Sequence, residues 1–172
     1  IDSVNMADFY ELFKRENWEE VGRKLDESFG KLKGAGVDFV ALATNTPHIA
    51  LEHMVSDISM LNIADATADR LIGDGVSRAG FLGTKFSMQK DGYFDRMYAK
   101  KGIDLVEIPK GDMDYIDNLI WNKLVEGDGP SVFDLGSLRS ICNSLKERGA
   151  KSLILGCTEL DLVIRDDTFI GL

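Results

Sequence analysis

The sequence lacks several features that would assign a protein to a class at once. It has only two cysteines and two histidines in 172 residues, too few cysteines for a disulfide scaffold, which favours a reduced, cytoplasmic setting. No apolar run approaches the ~18 residues that a membrane-spanning helix needs. No charged segment is followed by the apolar segment of a signal peptide. We therefore expect a cytoplasmic protein that does not enter a membrane.

Basic residues are outnumbered by acidic ones, 20 against 29, which gives a net charge of −9. A uniformly acidic surface repels phosphate backbones, so nucleic acid is excluded as an expected partner. Hydrophobic residues make up 44% of the chain and charged residues 28%. This composition is typical of a globular protein with an apolar core and excludes disordered, collagen-like and coiled-coil classes.

Short apolar runs alternate with amphipathic segments along the chain. The four runs that predict strands are residues 37–43, 78–83, 103–108 and 152–156. Apolar spacings of three and four predict a helix over residues 18–32, and a second helix is predicted over residues 138–148, with Gly149 as its stop signal. Alternation of strands and helices indicates an α/β fold built on parallel sheets.

Polar side chains follow two of the predicted strands, where ligands bind in parallel sheets. Thr44 and Asn45 precede Thr46 and Pro47 after the first strand, and Cys157 follows the last one. Because helix N-termini attract anions, two such ends facing each other would bind a small carboxylate and lower the pKa of the Cys157 thiol. The alternative is that Cys157 is a buried small residue and Thr44 a helix cap.

Four segments in order resemble the aspartate/glutamate racemase family over nearly the whole chain: residues 43–48, 62–67, 81–88 and 154–160. The resemblance implies a cofactor-independent enzyme of two pseudo-symmetric α/β lobes with the active site between them. The implied lobes are residues 1–65 plus 162–172 and residues 66–161. Members usually begin with a strand and a Gly-Gly-Met loop and end with a closing helix, so we expect both ends of the fold to be missing here.

By this resemblance, Thr44 and Cys157 flank the substrate Cα and exchange its proton from opposite faces. Many members carry cysteine at both positions, and the Thr-Asn-Thr motif here resembles a branch that favours L-amino acids. The implied substrate-binding residues, which would hold the α-carboxylate or the α-amine, are Asn45, Thr46, Thr84 and Thr158. Glu159 either orients the site or complements the helix dipole.

Other residues are weaker candidates. Lys85 and Lys123 are candidates for holding a substrate side-chain carboxylate, although most lysines are solvated. His48 and His53 lie five positions apart, whereas metal ligands on one helix face prefer spacings of three or four, so no metal site is predicted. No glycine-rich nucleotide motif and no serine nucleophile elbow occur.

The sequence therefore predicts a racemase of acidic or other small amino acids, with a small-molecule substrate and no nucleic acid, membrane, metal or cofactor. A homodimer is one assembly that the prediction allows. Two alternatives remain open at this point. One is a related decarboxylase or isomerase of small diacids that uses Cys157 differently, and the other is a non-catalytic protein that binds small carboxylates.

Overall fold

The computed structural model describes residues 1–164. The chain divides into two compact units, Ile1–Ile63 and Ala64–Leu172. The predicted assignment of residues 162–172 to the first lobe stays a prediction, and residues 165–172 lie outside the described part. No helix within residues 1–164 is long and apolar enough to cross a membrane.

The first unit pairs two helices with a small parallel sheet. Its elements are α1 (Met6–Lys14), α2 (Trp18–Gly34), β1 (Phe39–Ala41), a 3₁₀ helix (Thr46–His53) and β2 (Ser59–Leu61), before α3 (Ile63–Gly73) begins. Asn17 caps α2 by accepting a hydrogen bond from the Glu20 amide at 3.2 Å. The α2 helix confirms the prediction over residues 18–32. Strands β1 and β2 are parallel.

The second unit is built on a three-stranded parallel sheet. Beyond α3 it comprises β3 (Arg78–Leu82), α4 (Tyr93–Lys100), β4 (Asp104–Leu105), α5 (Lys110–Leu119), a π-helix (Ile120–Leu124), α6 (Val132–Glu147), β5 (Ser152–Leu155) and α7 (Thr158–Asp161). The strand order is β4-β3-β5, and both pairings are parallel. Parallel sheets flanked by helices confirm the predicted α/β class.

Helix α6 begins six residues before the predicted start at residue 138, because a capping box lies ahead of it. The Ser131 hydroxyl accepts from the Asp134 amide, and the Asp134 carboxylate accepts from the Ser131 amide. Asp134 is 3% exposed and also binds Lys123 at 2.7 Å and the Tyr115 hydroxyl at 2.8 Å. At the other end Gly149 has a φ of 101°, which confirms it as the stop signal.

Candidate active site

Strands β3 and β5 end side by side, and both candidate polar segments of the second unit start there. The register pairs Leu82 with Leu155. The Gly156 amide then donates to the Leu82 carbonyl at 2.6 Å, and a Cβ on Gly83 would lie 3.1 Å from the Gly156 carbonyl oxygen. A side chain on Gly83 would crowd the Gly156 backbone, and one on Gly156 would overlap the Phe81 ring. Thr84 and Cys157 therefore follow neighbouring strand ends at one edge of the sheet.

Cys157 is half-buried and its thiol is hydrogen-bonded to a carboxylate. The Cys157 Sγ donates to Glu159 Oε2 at 2.9 Å, and the Thr158 hydroxyl donates to the same oxygen at 2.8 Å. Burial, together with the hydrogen bond and charge of Glu159, raises the pKa of the Cys157 thiol to about 12. The thiol is therefore protonated near neutral pH.

The predicted lowering of the Cys157 pKa by a helix N-terminus was wrong. Helix α7 has only four residues, so few peptide dipoles are aligned behind the thiol. Glu159 lies in its first turn and offsets the small positive potential that remains. Glu159 thus contacts the thiol directly, which the sequence left as one of two alternatives.

Thr84 is only 3% exposed. Its hydroxyl lies 3.2 Å from the hydroxyl of Ser87, which is itself 2% exposed. The amides of Ser87 and Met88 both donate to the Thr84 carbonyl, which folds residues 84–88 into a tight turn. Ser87 was not singled out from the sequence, although it lies in the motif over residues 81–88. The predicted contact between Thr84 and substrate stays a prediction.

Thr44, Asn45 and Thr46 lie in the first unit at the carboxyl end of β1. Thr44 and Asn45 are half-buried, and Thr46 is 6% exposed. Asn45 is the N-cap residue of the 3₁₀ helix, in which Pro47 occupies the first turn as predicted. The Asn45 side chain makes no capping hydrogen bond, so its amide group is not used to cap the start of the helix.

His48 lies directly behind this loop and is fully buried. Its Nε2 accepts a hydrogen bond from the Ile63 amide at 3.4 Å. Burial lowers the pKa of His48, and the backbone of Thr44 and Asn45 partly opposes that effect. A neutral imidazole therefore packs behind the Thr44 loop.

We expect protonation of His48 to destabilise the fold. Because the folded-state pKa lies below the ordinary value of 6.5, the unfolded chain takes up a proton first as the pH falls. Neutral His48 makes its full contribution to the free energy of unfolding at pH values above about 6.5. As the pH falls below this value, the contribution declines with a limiting slope of ~1.4 kcal/mol per pH unit. Denaturant unfolding between about pH 7.5 and about pH 5.5 measures this slope.

The matched variants are His48→Gln and His53→Gln. Glutamine at position 48 keeps an acceptor for the Ile63 amide but does not titrate, so its slope should be flatter than that of the wild type. His53 is exposed, and His53→Gln is the control for the loss of one histidine ring from the same 3₁₀ helix. Equal slopes in the wild type and His48→Gln would show that His48 does not couple protonation to folding.

The two candidate lysines have partners within the second unit. Lys123 Nζ lies 2.7 Å from the buried Asp134 carboxylate, so its charge is already balanced by the capping box of α6. Lys85 is exposed, and its ammonium lies 5.1 Å from the centre of the Phe86 ring. No group of three or more His, Cys, Asp or Glu side chains among residues 1–164 is arranged to hold a metal ion.

The structure thus brings Thr84, Cys157 and Thr158 to one sheet edge of the second unit. Thr44, Asn45 and Thr46 form a loop of the first unit, and their apposition to Cys157 stays a prediction. The carboxylates of Glu159 and Asp117 both act on the Cys157 thiol. Asp117 was missed from the sequence, where its only signal is an acidic residue within the otherwise largely apolar segment 116–120.

The model of the Asp/Glu/Hydantoin racemase family matches residues 1–169. The chain belongs to this family. The resemblance seen in the four sequence segments is therefore confirmed, and the membership supports an isomerase-type enzyme.

Solved structures agree with this assignment. The fold is similar to a candidate Asp/Glu racemase from Yersinia pestis, with a TM-score of 0.87 and 26% identity over 99% of this chain and 74% of that one. An aspartate racemase homologue from Pyrococcus horikoshii OT3 gives a TM-score of 0.78 and 27% identity over 100% of this chain and 74% of that one. The aspartate racemase of Picrophilus torridus shares the fold at 20% identity, with a TM-score of 0.66. The match covers 88% of this chain and 62% of that one.

Proposed function

We propose that the protein is a cytoplasmic, cofactor-independent racemase of aspartate, glutamate or other small amino acids. Its proton carriers are Cys157 on one face of the substrate Cα and Thr44 on the other. The observation that carries this proposal is the Cys157 thiol bonded at 2.9 Å to the Glu159 carboxylate at a strand end. In a member of a racemase family, a thiol with its own proton acceptor is suited to proton transfer at carbon.

The hydrogen bond between Cys157 and Glu159 suggests how the thiol would work in each direction. From a D-substrate, residue 44 takes the Cα proton after its own hydroxyl proton has passed to solvent, and the protonated thiol gives its proton to the opposite face of Cα. From an L-substrate, the thiol first passes its proton to Glu159, the thiolate takes the proton from Cα, and the Thr44 hydroxyl supplies the new proton on the opposite face. The cycle closes when solvent reprotonates Cys157 in the first direction or Thr44 in the second, where Glu159 also releases its proton.

The charge around Cys157 favours an amino acid over a simple diacid. The carboxylates of Glu159 and Asp117 both raise the pKa of the thiol. A bound α-ammonium group would offset this negative charge and make the thiolate accessible, whereas a diacid that has no amine lacks the compensating positive charge. This argues against the alternative of a diacid decarboxylase or isomerase.

Hydrogen exchange at Cα tests the proposal. The L- and D-forms of aspartate and glutamate are incubated with the protein in heavy water, and loss of the Cα proton signal is followed by NMR. A racemase must incorporate solvent deuterium and form the opposite enantiomer. A protein that only binds small carboxylates leaves the Cα proton in place, and a decarboxylase would release carbon dioxide.

We expect Thr44→Cys to raise turnover from D-substrates. A threonine hydroxyl is a poor base, so the direction in which residue 44 removes the proton should be the slower one in the wild type. A thiol at this position ionises far more readily, and each tenfold gain in rate corresponds to ~1.4 kcal/mol of barrier. Because the equilibrium constant between the enantiomers is unity, kcat/KM is equal in the two directions and the gap lies in turnover and substrate affinity. Initial rates at saturating D- and L-aspartate measure the gap in turnover, which Thr44→Cys should narrow.

Thr44→Ala and Thr44→Ser are the accompanying variants. Thr44→Ser keeps the hydroxyl and should retain activity. Thr44→Ala should lose exchange from D-substrates and conversion in both directions, whereas Cys157 can still exchange the Cα proton of an L-substrate on its own face. Full activity of Thr44→Ala, with no gain in Thr44→Cys, would make Thr44 a packing residue and move the second proton carrier to another group.

A further inference from the structure

Asp117 lies in the last turn of α5 and connects this helix to the loop after β3. Its Oδ1 accepts a hydrogen bond from the Lys85 amide at 2.9 Å, across 32 positions of sequence. The bond fixes the residue that directly follows Thr84. Burial raises the pKa of the Asp117 carboxyl, so this group is withdrawn from solvent at the same sheet edge.

The carboxylate of Asp117 also acts on Cys157. The π-helix that continues α5 packs against α7, the helix that follows Cys157. The negative charge of Asp117 adds to that of Glu159 at the thiol. Asp117 therefore contacts the loop that follows β3. It also adds negative charge near the Cys157 thiol, which follows β5.

We propose that Asp117 is a positioning residue of the reaction centre. Through the Lys85 amide it holds the Thr84–Lys85 loop beside Cys157, and it adds one negative charge to the surroundings of the thiol. The effect on catalysis rests on the proposed function, whereas the effects on the loop and on the thiol do not. Asp117 touches neither the thiol hydrogen bond nor the reacting atoms, so its role is indirect.

Charged groups from three elements act on the Cys157 thiol and the Asp117 carboxyl. The thiol is influenced by Glu159 from α7 and by Asp117 from α5. Asp117 is itself influenced by Lys85 from the loop and by Asp114 one turn earlier on α5. Asp114 pairs with Lys110 at 2.8 Å on the exposed side of the helix, which makes Asp114→Asn a matched control for the loss of one negative charge from α5.

Two variants separate the two parts of the role. Asp117→Asn keeps an oxygen acceptor for the Lys85 amide and removes the charge, whereas Asp117→Ala removes both. In Asp117→Asn the alkylation of Cys157 by iodoacetamide should become faster by about threefold or more near pH 8, because less negative charge opposes the thiolate. Peptide mass mapping separates Cys157 from Cys142.

The loop is followed by amide hydrogen exchange of residues 84–88. Protection should fall in Asp117→Ala and be retained in Asp117→Asn and Asp114→Asn. Turnover in the Cα exchange assay should fall about tenfold or more in Asp117→Ala, with KM little changed, because a displaced loop misaligns the reacting groups. Asp117→Asn should recover most of that loss.

An alkylation profile of Asp117→Asn identical to that of Asp114→Asn and the wild type would overturn the role at the thiol. Unchanged loop protection in Asp117→Ala would overturn the role at the loop. If Asp117→Ala does not fold, Asp117→Asn still decides the first point. Asp117→Leu, which also lacks an acceptor for the Lys85 amide, then takes its place in the test of the second, and unchanged protection in that variant would overturn the role at the loop. If the wild type shows no Cα exchange, the proposed function fails while both of these measurements still judge Asp117.

Discussion

Replacing Cys157 by serine is expected to lower Cα hydrogen exchange from L-substrates by ~10³-fold or more, since general acid–base groups contribute 10²–10⁴-fold. A serine hydroxyl can occupy the place of the thiol and donate to Glu159, but it does not ionise far enough to take a proton from carbon. The loss should be smaller from D-substrates, because there residue 157 only has to give a proton. Initial rates of deuterium incorporation from each enantiomer measure this difference.

The matched control is Cys142→Ala. Cys142 lies in α6, is 1% exposed, and has a pKa raised to about 11 by burial. Alanine avoids the cost of burying a hydroxyl at this position, and exchange should stay at the wild-type rate. If Cys157→Ser exchanges L-substrates as fast as Cys142→Ala does, Cys157 is not a proton carrier and the proposed mechanism is wrong.

The alkaline pH dependence follows from the same thiol. Because the pKa of Cys157 in the free protein is raised to about 12, the thiolate fraction is small at neutral pH and grows as the pH rises. In the wild type, kcat/KM from L-substrates should therefore increase into the alkaline range. In Cys157→Ser this increase should vanish.

Elements with a strong local signal could be predicted from the sequence. Strands β3 and β5 are apolar and bounded by small or charged residues, and α2 repeats its apolar positions at helical spacing. By contrast, β2 consists of only three residues, Ser59–Leu61, which is too short a segment to show an alternation of polar and apolar residues in the sequence. The start of α6 was missed because its capping box precedes the apolar residues that indicate a helix.

The candidate site, too, could be predicted from the sequence only in part. The motif around Cys157 identified the thiol and its two neighbours, because the family pattern is local. The sign of the thiol pKa shift was not predictable, since it depends first on burial and then on the side-chain contact with Glu159, and both arise only in the folded chain. Asp117, which lies 40 positions before Cys157 in the sequence, adds to the same effect. A hydrogen bond between Asp117 and the Lys85 amide arises only when the loop after β3 and helix α5 have been packed together.

Replacing Gly156 by alanine is expected to cause the largest loss of stability among single-methyl additions at the site. A Cβ on Gly156 would overlap the ring of Phe81 and lie 3.0 Å from the Leu82 carbonyl oxygen. Phe81 is 3% exposed and stacks on Phe94 with ring centres 5.2 Å apart, so it has little room to move. Overpacking of this kind typically costs ~1–3 kcal/mol.

Activity should fall together with stability in Gly156→Ala. The strand end must move away from β3, which weakens the hydrogen bond from the Gly156 amide to Leu82 and displaces Cys157, the next residue. A misplacement of ~1 Å can lower a rate by ~10²-fold. Denaturant unfolding gives the stability, and the Cα exchange assay on the folded fraction gives the rate.

Gly136→Ala is the matched control. Gly136 is an exposed residue within α6, and its added Cβ would meet no heavy atom within 4 Å. Alanine in a helix interior is favoured over glycine by ~0.5–1 kcal/mol, so this variant should be slightly more stable than the wild type and equally active. A Gly156→Ala protein with wild-type stability and exchange would show that β3 and β5 do not require close backbone contact, and that the position of Cys157 does not depend on it.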